Sequence, residues 1–349
     1  MNIGIIGAGG IARKLHLPQI AELKDQGVRV THLAGRKLDR LNRLATDFDV
    51  PNVTVNTDEI IDDPNVDGVI IATPHPMHVA AGIRALQAGK HVLMQKPLCG
   101  NMQEADAFVE AAEKSDRIVV ALPHYGPDIL AMRRSAQSGE IGKLASAHCR
   151  VSHGGPEVYY AEIRDYFGEV AGDLWFFEAG EAAVGALFDM GVYAIGAITT
   201  VMGSVTAVMG QTATVDKATT LEDTASLILR FENGAIGTAE TGWCDPARSY
   251  MLSIHGTAGK ITTPGATGSG ITRWQPGSYT REDEPAIPHA LDTSGLINEN
   301  SHSLWLRCIR EGVQPEICNA RTARHVTEIM LAGLESARTG AMVTVNSRL

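Results

Sequence analysis

Hydrophobic and polar residues follow two different patterns along the chain, and the change between them falls near residue 144. Before it, short apolar runs alternate with stretches whose apolar residues recur at helical spacing. The run Val66–Ala72 is apolar almost throughout, which is typical of a strand buried on both faces. Strands that alternate with helices predict right-handed crossovers and a doubly wound parallel sheet. The predicted strands are Asn2–Ile6, Val28–Ala34, Val66–Ala72, His91–Met94 and Ile118–Leu122, with helices near His78–Ala88 and Met102–Ser115.

The second part of the chain has the strict alternation of half-buried strands. The turn Glu232-Asn233-Gly234 lies between two alternating runs and indicates a hairpin. We therefore predict an α/β protein with two domains: residues 1–122, and an α+β domain with a large, open, mostly antiparallel sheet over residues 123–349. Thr263–Asn298, rich in Gly, Pro, Ser and Thr, is predicted to form long loops. The predicted strands are Ala145–Ser152, Val205–Thr214, Ala225–Phe231, Ala235–Glu240 and Met251–His255, and the predicted helices are near Glu181–Met202, Ser303–Glu311 and Thr322–Arg338.

Composition narrows the class of protein. The chain has 349 residues with 30 Lys and Arg against 40 Asp and Glu, a net charge of −10, which disfavours nucleic acid or an anionic membrane as its partner. Five scattered cysteines without a C-x-x-C pair argue against a disulfide framework or a zinc site and favour a reducing compartment. The apolar stretch Gly185–Val205 contains Asp189, which favours a buried helix over a membrane span. With no secretory signal at the first residues, we expect a soluble, cytoplasmic protein.

A glycine-rich turn follows the first predicted strand and opens a helix. Residues Gly7-Ala8-Gly9-Gly10-Ile11-Ala12 fit G-x-G-x-x-A in the strand–turn–helix context that a dinucleotide-binding Rossmann domain requires. Gly7 permits the tight turn, Gly9 permits close approach of a pyrophosphate, and Ala12 permits close packing of helix on strand. The start of the helix supplies partial positive charge. A turn that binds no ligand is the alternative interpretation.

The end of the second strand bears on which cofactor is bound. A carboxylate at that point would bind the ribose 2′-hydroxyl of NAD, but the chain has Gly35-Arg36-Lys37 there, and Asp39 is predicted to lie on the next helix. Arg36 and Lys37 suit a 2′-phosphate, so we predict NADP, with NAD as the alternative. Solvated cations at the start of a helix would explain the same residues.

A further set of motifs resembles the Gfo/Idh/MocA family of oxidoreductases (glucose–fructose oxidoreductase, inositol dehydrogenase and relatives). The family signatures are T-P-N-x-x-H, A-G-K-H-V and E-K-P. The corresponding residues here are Thr73-Pro74-His75-Pro76-Met77-His78, Ala88-Gly89-Lys90-His91-Val92 and Gln95-Lys96-Pro97, followed by Gly139-Glu140-Ile141-Gly142-Lys143, Asp189-Met190-Gly191-Val192-Tyr193, Glu222-Asp223-Thr224-Ala225 and Ile254-His255-Gly256-Thr257-Ala258-Gly259.

The resemblance implies a nicotinamide-dependent oxidoreductase acting on a sugar, cyclic polyol or related diol. It implies that Lys96 is the catalytic lysine and Asp189 the acidic residue of the second motif. Tyr193 stands where most relatives have histidine, as in the branch of glucose–fructose oxidoreductase, D-xylose dehydrogenase and dimeric dihydrodiol dehydrogenase. It also implies a homodimer or homotetramer formed through the second domain's sheet. The implied cofactor contacts are Thr73, Pro74, His75, His78, Gln95 and Lys96, besides Gly7, Gly9, Gly10, Ile11, Ala12, Arg36 and Lys37.

Two residues depart from the family pattern. Gln95 replaces the usual Glu beside the lysine, which removes a charge near the expected nicotinamide end. His75 stands where Asn is common, which alters the expected contacts to the cofactor.

Oxidation of a secondary alcohol requires a hydride acceptor, which the cofactor supplies, and a group that takes the hydroxyl proton. Asp189 and Tyr193 are four residues apart and share one helix face. A nearby ammonium group stabilises tyrosinate, so we predict Tyr193 as the proton carrier with Lys96 beside it and Asp189 orienting the substrate or the lysine. Lys96 as the proton carrier stays open.

Further residues are candidates for the substrate site. His124 and Tyr125 follow the fifth predicted strand, and Trp175 and Phe176 precede the second motif; the latter pair is equally typical of a hydrophobic core. Pro97 allows a cis or a trans peptide bond after Lys96. We expect no metal.

Two other functions remain open from the sequence. One is a glycosidase of the same family that keeps NAD bound and cycles it, and the other is a non-enzymatic sugar- or dinucleotide-sensing regulator.

Overall fold

The computed structural model describes residues 1–168, 177, 185–263, 272–274 and 288–349. Contacts divide the chain into two units. Unit 1 comprises Met1–His124, Tyr159–Ala183 and Glu299–Thr327, and unit 2 comprises Tyr125–Val158, Val184–Asn298 and Glu328–Leu349. Two later segments thus join the first 124 residues in unit 1. The division into domains at residue 122 stays a prediction.

Unit 1 contains the predicted doubly wound sheet. Its six described strands are all parallel, in the order β3-β2-β1-β4-β5-β6. The short strand β3 was not predicted, because only three residues, two of them polar, form it. The strands are β1 (Asn2–Ile6), β2 (Arg29–Ala34), β3 (Asn52–Thr54), β4 (Gly68–Ile71), β5 (His91–Met94) and β6 (Val119–Ala121).

The helices of unit 1 follow from their apolar spacing and their caps. Leu41 and Leu44, at helical spacing, are the buried residues of one helix, and the Asn101 side chain accepts the Glu104 N–H at the start of another, as an N-cap does. A π-helical turn, Ala12–His16, follows the glycine motif. The described α-helices are α1 (Leu17–Ala21), α2 (Leu38–Phe48), α3 (Asp58–Ile61), α4 (His78–Gln87), α5 (Met102–Lys114), α8 (Ala161–Phe167) and α10 (Ser301–Glu311).

Unit 2 contains the predicted open sheet. Its nine described strands run in the order β14-β13-β12-β11-β7-β10-β9-β8-β15, and every adjacent pair is antiparallel except β7 with β10. The segment predicted as loops, Thr263–Asn298, contains β13 and β14, which extend one edge of the sheet. The strands are β7 (Leu144–Ser152), β8 (Val205–Ala213), β9 (Thr224–Phe231), β10 (Ile236–Gly242), β11 (Ser249–Gly256), β12 (Gly259–Thr262), β13 (Thr272–Trp274), β14 (Pro288–Ala290) and β15 (Val343–Thr344).

Helices cover one face of this sheet. A second π-helical turn, Leu187–Gly191, runs directly into the apolar helix α9 (Val192–Met202), which packs against β7 and β10. Further helices are α6 (Pro127–Gln137), which packs on α9, α7 (Pro156–Tyr159) and the long α11 (Ala320–Thr339), which enters both units. None of the described helices has the length and apolar character needed to cross a membrane.

Candidate active site

The loops that carry the predicted cofactor residues all leave the same edge of the unit 1 sheet. They follow the carboxyl ends of β1, β2, β4 and β5. Strand β1 lies between β2 and β4. The connection from β1 to β2 and the connection from β3 to β4 therefore run to opposite sides of β1, which opens a crevice there. Ligands of open α/β sheets bind in such a crevice.

The glycine loop is packed tightly on one side and open on the other. Gly7 has φ +92°, and a Cβ built there would lie 2.4 Å from the Thr73 nitrogen. The Ala34 carbonyl accepts both the Gly7 and the Ala8 N–H, each at 2.9 Å. A Cβ at Gly9 would meet no described atom nearer than the Gly7 oxygen at 4.0 Å. The loop is therefore shaped as a cradle that a pyrophosphate fits.

The third glycine has a role that the motif does not indicate. A Cβ at Gly10 would lie 2.9 Å from the Tyr160 ring and 3.0 Å from Ile163 of α8. Ala12 is fully buried, as its predicted packing role requires, whereas Ile11 is partly exposed. Gly10 thus gives α8, from the later part of the chain, room to pack on the glycine loop.

The predicted 2′-phosphate residues lie beside this loop. Arg36 and Lys37 are exposed between β2 and α2, and Arg36 forms no ion pair with any described residue. Asp39 is exposed in the first turn of α2, as predicted. No carboxylate stands at the end of β2.

His78 joins the two loops that carry the family signatures. Its ring is buried, with Nε2 2.7 Å from the Thr73 carbonyl oxygen and Nδ1 2.8 Å from that of Pro97. Burial lowers the pKa of His78 to about 4, so the neutral ring donates to one carbonyl at a time. The buried Thr73 hydroxyl has no hydrogen-bond partner among the described residues, which suits contact with a cofactor. Pro74 is half-buried and His75 is buried.

Lys96 lies at the end of β5, and its peptide bond to Pro97 is cis. The lysine is half-buried. Its N–H donates to Oε1 of the buried Gln95 at 2.8 Å. Two candidate residues are thereby fixed next to the loop that His78 holds.

In unit 2, Asp189 lies in the π-helical turn before α9. Asp189, Met190 and Tyr193 are the residues that are not fully buried in the otherwise buried stretch 185–199. The Trp243 indole N–H donates to Asp189 Oδ2 at 2.9 Å, and His153 Nε2 lies 3.8 Å from the same oxygen. Because His153 Nδ1 accepts the Gly155 N–H, the neutral ring carries its proton on Nε2, toward the carboxylate.

The motif Glu222-Asp223 holds this turn in place. Glu222 Oε1 accepts the N–H groups of Gly185 at 3.1 Å and Leu187 at 3.2 Å, at the start of the helix. The Asp223 carbonyl accepts the Trp243 N–H at 2.7 Å. Burial raises the pKa of Glu222. The motif thus supports Asp189 from both sides, through the helix start and through Trp243.

The remaining predicted substrate residues are distributed between the units. His124 is half-buried in unit 1, and Tyr125 is buried in unit 2. Trp175 and Phe176 lie outside the described residues. Lys96 belongs to unit 1 and Tyr193 to unit 2. In the part of the chain that the structure describes, no three or more His, Cys, Asp or Glu side chains are grouped so that they could hold a metal ion.

Sequence reasoning missed four supporting side chains. His16 lies 79 positions from Gln95, which it contacts, and Trp243 lies 54 positions from Asp189. His153 and His302 are likewise remote from the motifs that they support. The sequence contains a weak indication only for Trp243 and His153. Each directly follows a strand of unit 2, β10 for Trp243 and β7 for His153.

Comparison with known proteins identifies both parts of the chain. A family model described as "Oxidoreductase family, NAD-binding Rossmann fold" matches residues 1–122, and the "GFO/IDH/MocA C-terminal domain" matches residues 129–262. These matches confirm the resemblance deduced from the motifs.

Individual proteins also resemble this chain. An uncharacterized oxidoreductase of Rhizobium meliloti is 30% identical over 272 residues, 75% of this chain and 74% of that protein. Trans-1,2-dihydrobenzene-1,2-diol dehydrogenase of Mus musculus is 27% identical over 259 residues, 73% of each chain. The solved structure of a levoglucosan dehydrogenase in complex with NADH shares the fold with a TM-score of 0.83 at 22% identity, over 99% of both chains.

Proposed function

The chain belongs to the GFO/IDH/MocA family of NAD(P)-dependent oxidoreductases, and from that premise we propose that it is an NADP-dependent dehydrogenase or reductase. Its substrate is a secondary alcohol, or the corresponding carbonyl, of a sugar, cyclic polyol or related diol. The observation that carries the proposal is the shared sheet edge of the open glycine loop, the Thr73–His78 loop and Lys96. The diol dehydrogenase and levoglucosan dehydrogenase among the relatives matched by sequence support the substrate class.

The cofactor contacts come from unit 1. The glycine loop, Gly7 to Ala12, would hold the pyrophosphate, because Gly9 leaves room for it and the start of the following helix favours an anion. Arg36 and Lys37 would bind the 2′-phosphate, and Thr73, Pro74, His75, His78 and Gln95 would line the path toward the nicotinamide. When bound, the nicotinamide accepts or donates the hydride.

The proton is assigned to residues from both units. Tyr193 takes the hydroxyl proton during oxidation and returns it during reduction, as a general acid–base group does. The Lys96 ammonium stabilises the tyrosinate form. Asp189, held by Trp243, orients the substrate. Asp189 and Tyr193 keep some exposure in an otherwise buried stretch, which supports these roles because groups that meet a substrate must be accessible.

A second copy of the chain is the proposed partner. Among the described residues, the face of the unit 2 sheet opposite α9 exposes apolar residues on neighbouring strands: Ile228 is 50% exposed and Ile236 is 57% exposed. Met209 lies directly opposite Ile228 in the β8–β9 pair. A face of this kind is suited to a homodimer or homotetramer, which light scattering coupled to size-exclusion chromatography tests. A monomer at micromolar concentration would contradict it.

A substrate panel tests the function directly. Aldoses, inositols, glycosides and dihydrodiols are incubated with NADP or NAD while the absorbance of the reduced cofactor is followed. We expect NADP to be reduced with at least one polyol or diol. Release of sugar from a glycoside without net cofactor reduction would instead identify a cofactor-cycling glycosidase, and no turnover together with tight dinucleotide binding would favour a sensor.

The choice of NADP is tested by Arg36→Ala. Loss of a charge-assisted hydrogen bond should weaken NADPH binding about tenfold or more while NADH binding changes little. Arg29→Ala is the matched control, because Arg29 is exposed at the opposite end of the same strand. Titration calorimetry with both cofactors measures the effect, and equal losses for NADPH and NADH would contradict a phosphate-binding role.

A further inference from the structure

Behind the Lys96 loop, four polar side chains of unit 1 form a continuous chain that the proposed proton transfer does not use. Gln95 Nε2 lies 3.2 Å from His16 Nε2, His16 Nδ1 lies 2.9 Å from His302 Nε2, and His302 Nδ1 lies 2.6 Å from Gln19 Oε1. His16 is 0% exposed, His302 is 1% exposed and Gln95 is 6% exposed. Buried polar groups at these distances must be hydrogen-bonded to one another.

The peptide group of Lys96 sets the direction of every bond in this chain. Its N–H can only donate, so the Gln95 atom facing it at 2.8 Å is the amide oxygen. The Gln95 amide nitrogen then donates to His16 Nε2, which leaves the His16 proton on Nδ1. That proton is donated to His302 Nε2, and the proton on His302 Nδ1 is donated to Gln19 Oε1.

We propose that Gln95, His16, His302 and Gln19 form a positioning chain of neutral groups with a single hydrogen-bond direction, which fixes the Lys96 backbone and requires an amide rather than a carboxylate at position 95. The role in positioning the reactive lysine rests on the proposed function. The direction of the chain does not.

A carboxylate would not fit the same arrangement. Both of its oxygens accept, so Glu at position 95 would need a proton between it and His16 Nε2. Glu could be protonated, or His16 could be an imidazolium. Otherwise, every hydrogen bond from His16 to Gln19 would have to exchange its donor and acceptor. Gln95, in place of the Glu of the family signature, thus matches the neutral histidine pair behind it.

The surroundings favour neutral rings. Burial lowers the pKa of His16 well below its ordinary value, and the facing His302 lowers it further. Burial lowers the pKa of His302 to about 4, with a smaller contribution from His124. Burial lowers the pKa of His124, and the nearby Glu299 opposes this shift. No described carboxylate contacts either ring of the pair.

Nitrogen NMR of the histidine side chains tests the direction of the chain without any turnover. In the apo protein labelled on histidine nitrogen, His16→Gln and His302→Gln identify the two sets of signals. We expect both rings to carry the proton on Nδ1 and to stay neutral from pH 8 down to about pH 5, as buried histidines do. A proton on His16 Nε2, or an imidazolium at neutral pH, would overturn the proposal.

Gln95→Glu tests the requirement for an amide. The variant should introduce an additional ionisation into the pH profile of kcat/KM, with activity about tenfold lower above it, the cost of a slightly displaced reactive group. Adding His16→Gln supplies an amide donor to Glu at position 95 and should remove that ionisation. A Gln95→Glu profile that superimposes on the parent's, or an added ionisation that persists in the double variant, would overturn the proposal.

The experiments distinguish failure of the proposed function from failure of the positioning chain. If the parent protein oxidises no polyol or diol, the proposed function fails, and the NMR result still decides the direction of the chain. If the NMR result is as expected and the parent is active, the pH profile of Gln95→Glu decides whether the chain positions Lys96.

Discussion

The candidate residues of unit 1 and unit 2 are held in place by different means. In unit 1, Gln95 and Lys96 follow a buried parallel strand, and backbone groups and nearby side chains fix the loop: the Thr73 and Pro97 carbonyls face His78, and Gln95 holds the Lys96 N–H. In unit 2, Asp189 lies on a helix, and its support comes from Trp243 beyond a distant strand and from Glu222 at the helix start.

The difference shows where a motif carries its own support and where it does not. Strand order brings the unit 1 loops to one sheet edge, and the Lys96 loop is further supported by the distant pair His16 and His302. The Asp189 turn needs two further motifs, 33 to 54 positions away in the chain, for its position. A substitution outside the recognised motifs should therefore affect either site, at Trp243 in unit 2 or at His16 in unit 1.

The largest expected effect belongs to Lys96→Met. In the proposed mechanism the ammonium would stand next to the reacting oxygen and stabilise tyrosinate, so its loss should lower kcat/KM about 10⁴-fold. Lys90→Met is the matched control, because Lys90 directly precedes β5 and Lys96 follows it. Lys90 is buried, with Nζ donating to the Asp63 and Val66 carbonyls at 2.7 Å.

Steady-state kinetics and thermal unfolding separate the two lysines. Lys90→Met should lower the free energy of unfolding by about 1–3 kcal/mol through lost hydrogen bonds and leave turnover largely unchanged. Comparable losses of turnover in both variants, scaled to stability, would contradict a catalytic role for Lys96.

A somewhat smaller effect is expected for Tyr193→Phe. The change keeps the ring and removes only the hydroxyl, so the rate of the chemical step should fall about 10²–10⁴-fold while KM changes much less. Tyr250→Phe, on strand β11 of unit 2 and 43% exposed, is the control and should behave as the parent. Near-normal turnover in Tyr193→Phe, with an inactive Lys96→Met, would assign the proton to the lysine.

The smallest of these effects is expected for Trp243→Phe, which removes the hydrogen bond to Asp189. Such a bond to a carboxylate is worth about 1.5–3 kcal/mol, and we expect kcat to fall about tenfold. Trp305→Phe is the control, because Trp305 is equally buried and its indole N–H has no hydrogen-bond partner among the described residues. Equal effects of the two substitutions on turnover, at equal loss of stability, would show that Trp243 acts only through packing.

Much of the fold follows from the sequence because buried parallel strands and half-buried antiparallel strands have different hydrophobic periods. The strand Asn52–Thr54 and the strands within Thr263–Asn298 were missed, since three residues are too few to show a period. The glycine loop, Lys96 and Asp189 could be proposed from the sequence because each belongs to a contiguous motif. The cis bond at Pro97 was left open by the sequence, since both isomers suit the same residues.

The supporting side chains could not be predicted in the same way. The pairing of His16 with Gln95, and that of Trp243 with Asp189, depends on which residues the tertiary fold brings together. A lone histidine after a glycine motif and a lone tryptophan after a strand are more often ordinary core residues. The structure gives the partner of each of these side chains, and this shows that His16 contacts Gln95 and that Trp243 donates to Asp189.

The central claim is that one residue from each unit, Lys96 and Tyr193, serves a single proton transfer, and a double-mutant cycle tests it most directly. The rate of hydride transfer is measured in a single turnover for Lys96→Met, Tyr193→Phe and the double variant. Residues that act as a unit are strongly non-additive, so the double variant should be at most about threefold slower than the slower single variant. A double variant slowed by the product of the two single effects would show that the two residues act independently and would contradict the account.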